Sequence, residues 1–169
     1  MGHAASMTPP VISIVGHSGS GKTTLVEKLI RELNRRGVRV ATIKHAHHDV
    51  ELDTPGKDSH RYTAAGAVMS LLLTRDALQL VAGASENREP AQLAARFLGE
   101  ADLVLAEGFA HAPGRKIEVL RRACGQSPRC SVEEGVIALV TDCDEVYPSL
   151  PHFGLDATAA IAQFILDCP

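Results

Sequence analysis

The chain lacks any apolar run long enough to cross a bilayer, and its N-terminus has no hydrophobic stretch of the kind a secretion signal needs. Those absences predict a cytoplasmic protein with no membrane attachment. It also lacks an excess of basic charge. With 17 Lys and Arg against 20 Asp and Glu, nothing supports a general nucleic-acid or membrane-surface partner. Cys124, Cys130, Cys143 and Cys168 are scattered and contain no C-x-x-C pair. That spacing argues against a structural zinc site, and reduced thiols are expected in place of disulfides. No internal repeat and no second domain are visible. A length of 169 residues suits a single domain, expected over residues 11–169, with residues 1–10 as a disordered or added tail and Met7 as the natural start.

What the chain does have is Gly16-His17-Ser18-Gly19-Ser20-Gly21-Lys22-Thr23, which fits G-x-x-x-x-G-K-S/T, the phosphate-binding P-loop. Val11 to Val15 before it is a short apolar, β-branched run, read as a buried strand. Lys22 to about Arg36 after it reads as a helix. The motif therefore stands where its mechanism needs it. Glycines let the loop wrap closely, backbone N–H groups point at phosphate oxygens, and the helix N-terminus adds partial positive charge. Gly16, Ser18, Gly19, Ser20, Gly21, Lys22, Thr23 and Thr24 are the candidate nucleotide-binding residues. Lys22 would pair with the β- and γ-phosphates and the Thr23 hydroxyl would ligate Mg²⁺.

Along the first helix, Leu25, Val26, Leu29, Ile30 and Leu33 form one stripe, stopped by Gly37. Residues 38–43 give a second strand and, with it, the start of a βαβ unit and a parallel sheet. Residues 44–59 are polar and turn-rich and read as a long loop, followed by a short helix over 59–65 entered from Asp58 or Ser59. The apolar runs 67–73 and 77–81, separated by Thr74-Arg75-Asp76, predict an antiparallel hairpin. A helix over 89–98 should face Leu93, Ala94, Phe97 and Leu98 inward. Strands are expected over 102–109, ending in an acid and a glycine, weakly over 116–120, over 136–140, and briefly near 152–155. Asp156 is expected to cap a last helix that buries Ile161, Phe164 and Ile165. The fold class that follows is α/β: a three-layer P-loop NTPase fold, with a mostly parallel sheet and an added antiparallel hairpin.

Glu107 closes a buried strand, the place where a Walker B carboxylate holds Mg²⁺, directly or through water, or orients an attacking water; the alternative is an ordinary strand-end carboxylate. Asp102 begins the same strand, at the opposite end of the sheet, and is given no catalytic role. In the 45–58 loop, Asp49, Asp53 and Asp58 are candidate metal or metal-water ligands, and Lys57 and Arg61 could reach phosphates. Such a loop is placed as a γ-phosphate-sensing switch. His45, His47 and His48 leave open a transition-metal site, and a solvated loop without a role is the third reading. Thr141-Asp142-Cys143-Asp144 partly fits the N/T-K-x-D pattern of guanine readers, with Asp142 standing where Lys is expected, so either Asp144 or Asp142 would accept from guanine.

Taken together, Gly16 to Thr23, the run Ile43-Lys44-His45-Ala46-His47-His48-Asp49 continuing to Thr54-Pro55-Gly56-Lys57-Asp58-Ser59, and Leu105-Ala106-Glu107-Gly108-Phe109 resemble the MobB family of molybdopterin-guanine dinucleotide biosynthesis adapter proteins. The middle run is the specific one, and the resemblance spans about residues 11–109 plus the 136–142 strand. It implies a GTP-binding P-loop fold, at most a slow GTPase, a homodimer, and association with the guanylyltransferase that joins GMP to molybdopterin in the maturation of molybdopterin enzymes. It also implies phosphate and Mg²⁺ binding by Gly19, Gly21, Lys22, Thr23 and Thr24, a Walker B role for Glu107 and a guanine-side contact for Asp142. His17 stands where dimerising relatives in the wider class carry a signature Lys.

The expected function is thus a GTP- and Mg²⁺-dependent adapter in molybdenum cofactor maturation. Slow hydrolysis fits independently, since no Gln is placed to orient water and no arginine finger lies within the loop. A P-loop small-molecule kinase, with Arg121, Arg122 and Arg129 in an irregular stretch as a lid, is the first alternative. A metallochaperone GTPase resting on the histidine group is the second.

Overall fold

The computed structural model describes residues 8–46, 52–83, 89–124, 127–143 and 146–168. They form two compact units, one from residues up to 45 together with 89 onward, the other from 46–88.

In the first unit six strands make one sheet. They are β1 (Val11–Val15), β2 (Val40–Lys44), β5 (Leu103–Glu107), β6 (Arg115–Leu120), β7 (Val136–Thr141) and β8 (His152–Phe153), in the order β2-β5-β1-β6-β7-β8. Every pairing is parallel. β1 therefore has a neighbour on each side and β1 reads as an apolar run for that reason. Ile12 and Ile14 enter a core with Leu105, Ile117, Val119 and Val140. The helices α1 (Lys22–Arg35) and α4 (Thr158–Asp167) close over that core, α1 through Leu25, Val26, Leu29 and Leu33, α4 through Ile161, Ala162 and Ile165. Val15 and Leu139 belong to a second cluster with Ala110, Cys130 and Val136. Alternation along β1 and β7 thus feeds both sides of the sheet. The helix α3 (Pro90–Phe97) packs against β1.

The second unit holds α2 (Asp58–Ala64) and the antiparallel hairpin of β3 (Met69–Leu73) and β4 (Leu78–Ala82), a two-stranded sheet of its own. The turn is closed by the Thr74 N–H donating to the Ala77 carbonyl at 2.8 Å. Met69, Leu71 and Leu73 lie opposite Ala82, Leu80 and Leu78, so one face of the hairpin is wholly apolar. That face is exposed, with Leu71 at 58% and Leu73 at 71%.

Three expectations need correction. Phe97 does not face inward; it is 40% exposed with the Arg96 guanidinium over its ring, because the short α3 buries only Pro90 and Ala94. Asp156 does not cap α4 with its side chain; Ala157 is the cap residue and the Asp156 carboxylate pairs with Lys28 at 2.8 Å. The short helix α2 is capped at Lys57, not at Asp58 or Ser59, and no side chain caps it. The weakly patterned 116–120 run is the strand expected there, and a central one. Its pattern is blurred by Lys116 and Glu118, 1% and 0% exposed, whose charged heads are bonded inside the fold.

Candidate functional site

Because all six strands of the sheet run parallel, their carboxyl ends share one edge, where ligands of open α/β sheets bind. The P-loop leaves β1 there, Lys44 ends β2, Glu107 ends β5 and Asp142 follows β7.

Two glycines shape the loop. Gly16, at φ 138°, lies against the Val119 carbonyl of β6 so tightly that an added Cβ would collide with it. Gly21, at φ 97°, takes the left-handed conformation that starts α1. No side chain caps α1 and no acid occupies its first turn, so its first N–H groups are kept from internal carboxylate or hydroxyl acceptors. That is the arrangement of an anion site.

The Lys22 ammonium donates to the carbonyls of Gly16 at 3.0 Å and His17 at 2.8 Å, and so reaches back over the loop. Burial lowers its pKa, the Glu107 carboxylate opposes that shift, and the charges of Arg129 and Lys44 reinforce it. The Thr23 hydroxyl sits 2.9 Å from both carboxylate oxygens of Glu107, to which it donates. Lys44 pairs with Glu107 at 3.1 Å. Lys22, Thr23 and Glu107, singled out from two separate stretches of sequence, are thus gathered into one cluster. Ser18, Gly19 and Thr24 are exposed beside it, and Ser20 is buried.

A cavity of about 200 Å³ opens beside the loop, its polar lining Ser20, Gly21, Thr24, Lys28, Arg121 and Asp156. The Ser20 Oγ and the Arg121 Nε are buried and have no hydrogen-bond partner among the described residues. Lys28 and Asp156 were not singled out as ligand-facing from sequence. Lys28 carried a signal, one helical turn beyond Thr24; Asp156 carried none, since 128 residues separate it from Lys28.

Asp142 is not in that lining. It is exposed, its Oδ1 accepts the Arg122 N–H at 2.6 Å, and that bond pulls its carboxyl below the usual range. Asp144, Asp49, His47 and His48 lie outside the described residues. His45 ends against Gly108 and stacks near Phe109, ring centres 5.2 Å apart. Within the second unit, Asp53 accepts from the Thr54 N–H and the Ser59 hydroxyl, each at 2.9 Å, and Asp58 pairs with Arg61 at 3.6 Å. Among the described residues no group of three His, Cys, Asp or Glu gathers as a metal centre, and no helix is long and apolar enough to cross a membrane.

A parallel sheet in this order, with a glycine-rich loop running from a central strand into a helix and an acid ending the neighbouring strand, is a P-loop NTPase-like α/β fold. The family model for molybdopterin guanine dinucleotide synthesis protein B matches residues 11–142. The molybdopterin-guanine dinucleotide biosynthesis adapter protein of Escherichia coli K12 is 36% identical over 140 residues, covering 79% of this chain and 78% of that one. Its counterpart in Haemophilus influenzae is 40% identical over 139 residues, covering 79% and 75%. Among solved structures, a crystal structure of molybdopterin-guanine biosynthesis protein B matches with a TM-score of 0.70 at 32% identity, over 92% of this chain and 96% of that one. Bacillus subtilis MobB matches at 0.71 and 29%, over 93% and 96%. The chain belongs to the MobB family of molybdopterin-guanine dinucleotide biosynthesis adapter proteins.

Proposed function

We propose that this protein binds GTP with Mg²⁺ and serves in the cytoplasm, as a homodimer, as an adapter to the guanylyltransferase that attaches GMP to molybdopterin, hydrolysing GTP slowly. The observation that carries the nucleotide part is the cluster of Lys22, Thr23 and Glu107 at an uncapped helix N-terminus. The residues suit the ligand. The buried, unpartnered Ser20 Oγ and the open space over Gly19 and Gly21 favour a bound polar group over packed side chains. Mg²⁺ would be held by the Thr23 hydroxyl and the Glu107 carboxylate, hard oxygen donors that match a hard cation, and would neutralise phosphate charge there. Lys22 would exchange its loop carbonyls for phosphate oxygens. The cavity beside Thr24, with its unpartnered Arg121 Nε, has room for part of the nucleoside. Asp142 and Asp144 stay the candidate guanine contacts from sequence.

The adapter part rests on family membership, and the homodimer is supported by the exposed apolar face of the β3–β4 hairpin. The test is calorimetric titration of metal-stripped protein with GTP and with ATP, each with Mg²⁺. A clear preference for GTP is expected. Equal binding or a preference for ATP would remove the guanine reading and put a small-molecule kinase first.

A further inference from the structure

Glu118 is a carboxylate in the middle of a parallel sheet, fully buried, between β1 and β7. Such a group is costly unless it is bonded, and an apolar side chain would pack there without that cost. Its bonds go to one place. Oε1 accepts the Arg129 N–H at 2.5 Å and Oε2 accepts the Cys130 N–H at 3.2 Å. The same short segment is held at three further points. The Tyr147 hydroxyl donates to the Cys130 carbonyl at 3.0 Å, the Cys130 thiol lies 3.5 Å from the Ala110 carbonyl, and the His17 Nε2 lies 2.9 Å from the Ser127 carbonyl. A carbonyl only accepts, so His17 carries its proton on Nε2.

These bonds fix where residues 127–130 sit. Glu118 is in register with Val15, and the next residue, Val119, touches Gly16 through its carbonyl. His17 follows in the P-loop itself. The Lys22 ammonium rests on the carbonyls of those same two residues, Gly16 and His17. Segment 127–130 is therefore tied to the first turn of the P-loop, where Lys22 also points. Arg129 is exposed there, and its guanidinium makes no hydrogen bond or ion pair among the described residues. Its charge is felt at Lys22 and at Glu118. Among the described residues, Lys22, Lys44 and Arg129 bring three cations to this end of the sheet against two carboxylates, Glu107 and the buried Glu118, whose oxygens are taken up by the backbone N–H groups of Arg129 and Cys130; the excess of positive charge suits a polyanion.

We propose that Arg129 is a phosphate-binding residue of this site, supplied from outside the P-loop by a segment that Glu118 holds in position. This rests on the phosphate-binding reading of the loop and adds to it the residue that meets the same end of the polyphosphate as Lys22. Arg129 touches the ligand; Glu118 acts through it.

The experiment titrates wild type, Arg129→Ala and Arg129→Lys with Mg²⁺–GTP and, separately, with tripolyphosphate, which has no base. Arg129→Ala is expected to weaken both ligands about tenfold, and Arg129→Lys to recover part of the loss. Glu118→Gln leaves one backbone N–H without its acceptor and is expected to weaken binding in the same direction. In the double variant Arg129→Ala/Glu118→Gln, binding is expected to be no weaker than in Arg129→Ala alone. Arg129→Ala binding tripolyphosphate as tightly as wild type overturns the proposal while leaving GTP binding intact. Additive losses in the double variant overturn the role of Glu118. A wild-type protein that binds tripolyphosphate but not GTP, with Arg129→Ala weakened, sinks the guanine-nucleotide reading and keeps Arg129. Binding of neither ligand overturns both.

Discussion

At Lys22 one ammonium faces two backbone carbonyls and no core side chain, so its removal should be felt by ligand and not by fold. Lys22→Ala is expected to weaken Mg²⁺–GTP by about a hundredfold or more while the thermal melt stays unchanged; calorimetry and circular dichroism check the two halves. Glu107→Gln keeps an oxygen beside Thr23 but loses the charge. Nucleotide is expected still to bind, whereas dependence on Mg²⁺ and most residual hydrolysis are lost, as a magnesium titration of phosphate release would read. Both residues were legible in the sequence because their signals are local: a fixed spacing of glycines and lysine, and an acid ending an apolar run. Lys28, Arg121 and Asp156 were not legible as one lining, since they lie on three stretches far apart in the chain that only the fold brings together. Asp156 misled for the same reason, standing where a cap belongs but answering to Lys28.

Among the elements, the pairing of strand starts offers a pH test. The Arg39 guanidinium and backbone N–H, at the entry to β2, hold the Asp102 carboxyl at the entry to β5 down to about 2. A carboxyl depressed in the folded state adds stability that is complete above about pH 4 and fades as pH falls toward the folded value. The melting temperature of wild type is therefore expected to fall more steeply between pH 4 and pH 2 than that of Arg39→Gln, measured at matched ionic strength. The hairpin offers a second test. Leu71 and Leu80 face each other across it on the exposed apolar side. If a second copy covers that face, Leu71→Glu should raise the dimer dissociation constant about a hundredfold or more, seen by light scattering as a shift to monomer. Most elements could be read from period and punctuation. β6 gave the faintest signal, because Lys116 and Glu118 interrupt the apolar pattern; no single-sequence rule tells a buried, bonded charge from a solvated one.

For the molecule as a whole, the order of strands in the sheet differs from their order in the chain. β1 and β2 are consecutive but not adjacent: β5 lies between them. Sequence alone suggested a parallel sheet, yet which strand fills which slot depends on contacts made far along the chain. Arg39 and Asp102, side by side in the fold, are 63 residues apart. On the ribosome, β1, the P-loop and β2 emerge first, before the strand whose place in the finished sheet lies between them. At typical elongation rates the strand that fills it follows about 3 to 12 s later. Through that interval the slot is open to any strand that fits, from its own chain or from a neighbouring nascent one. Slower translation across residues 46–102 lengthens the exposure, and faster translation shortens it.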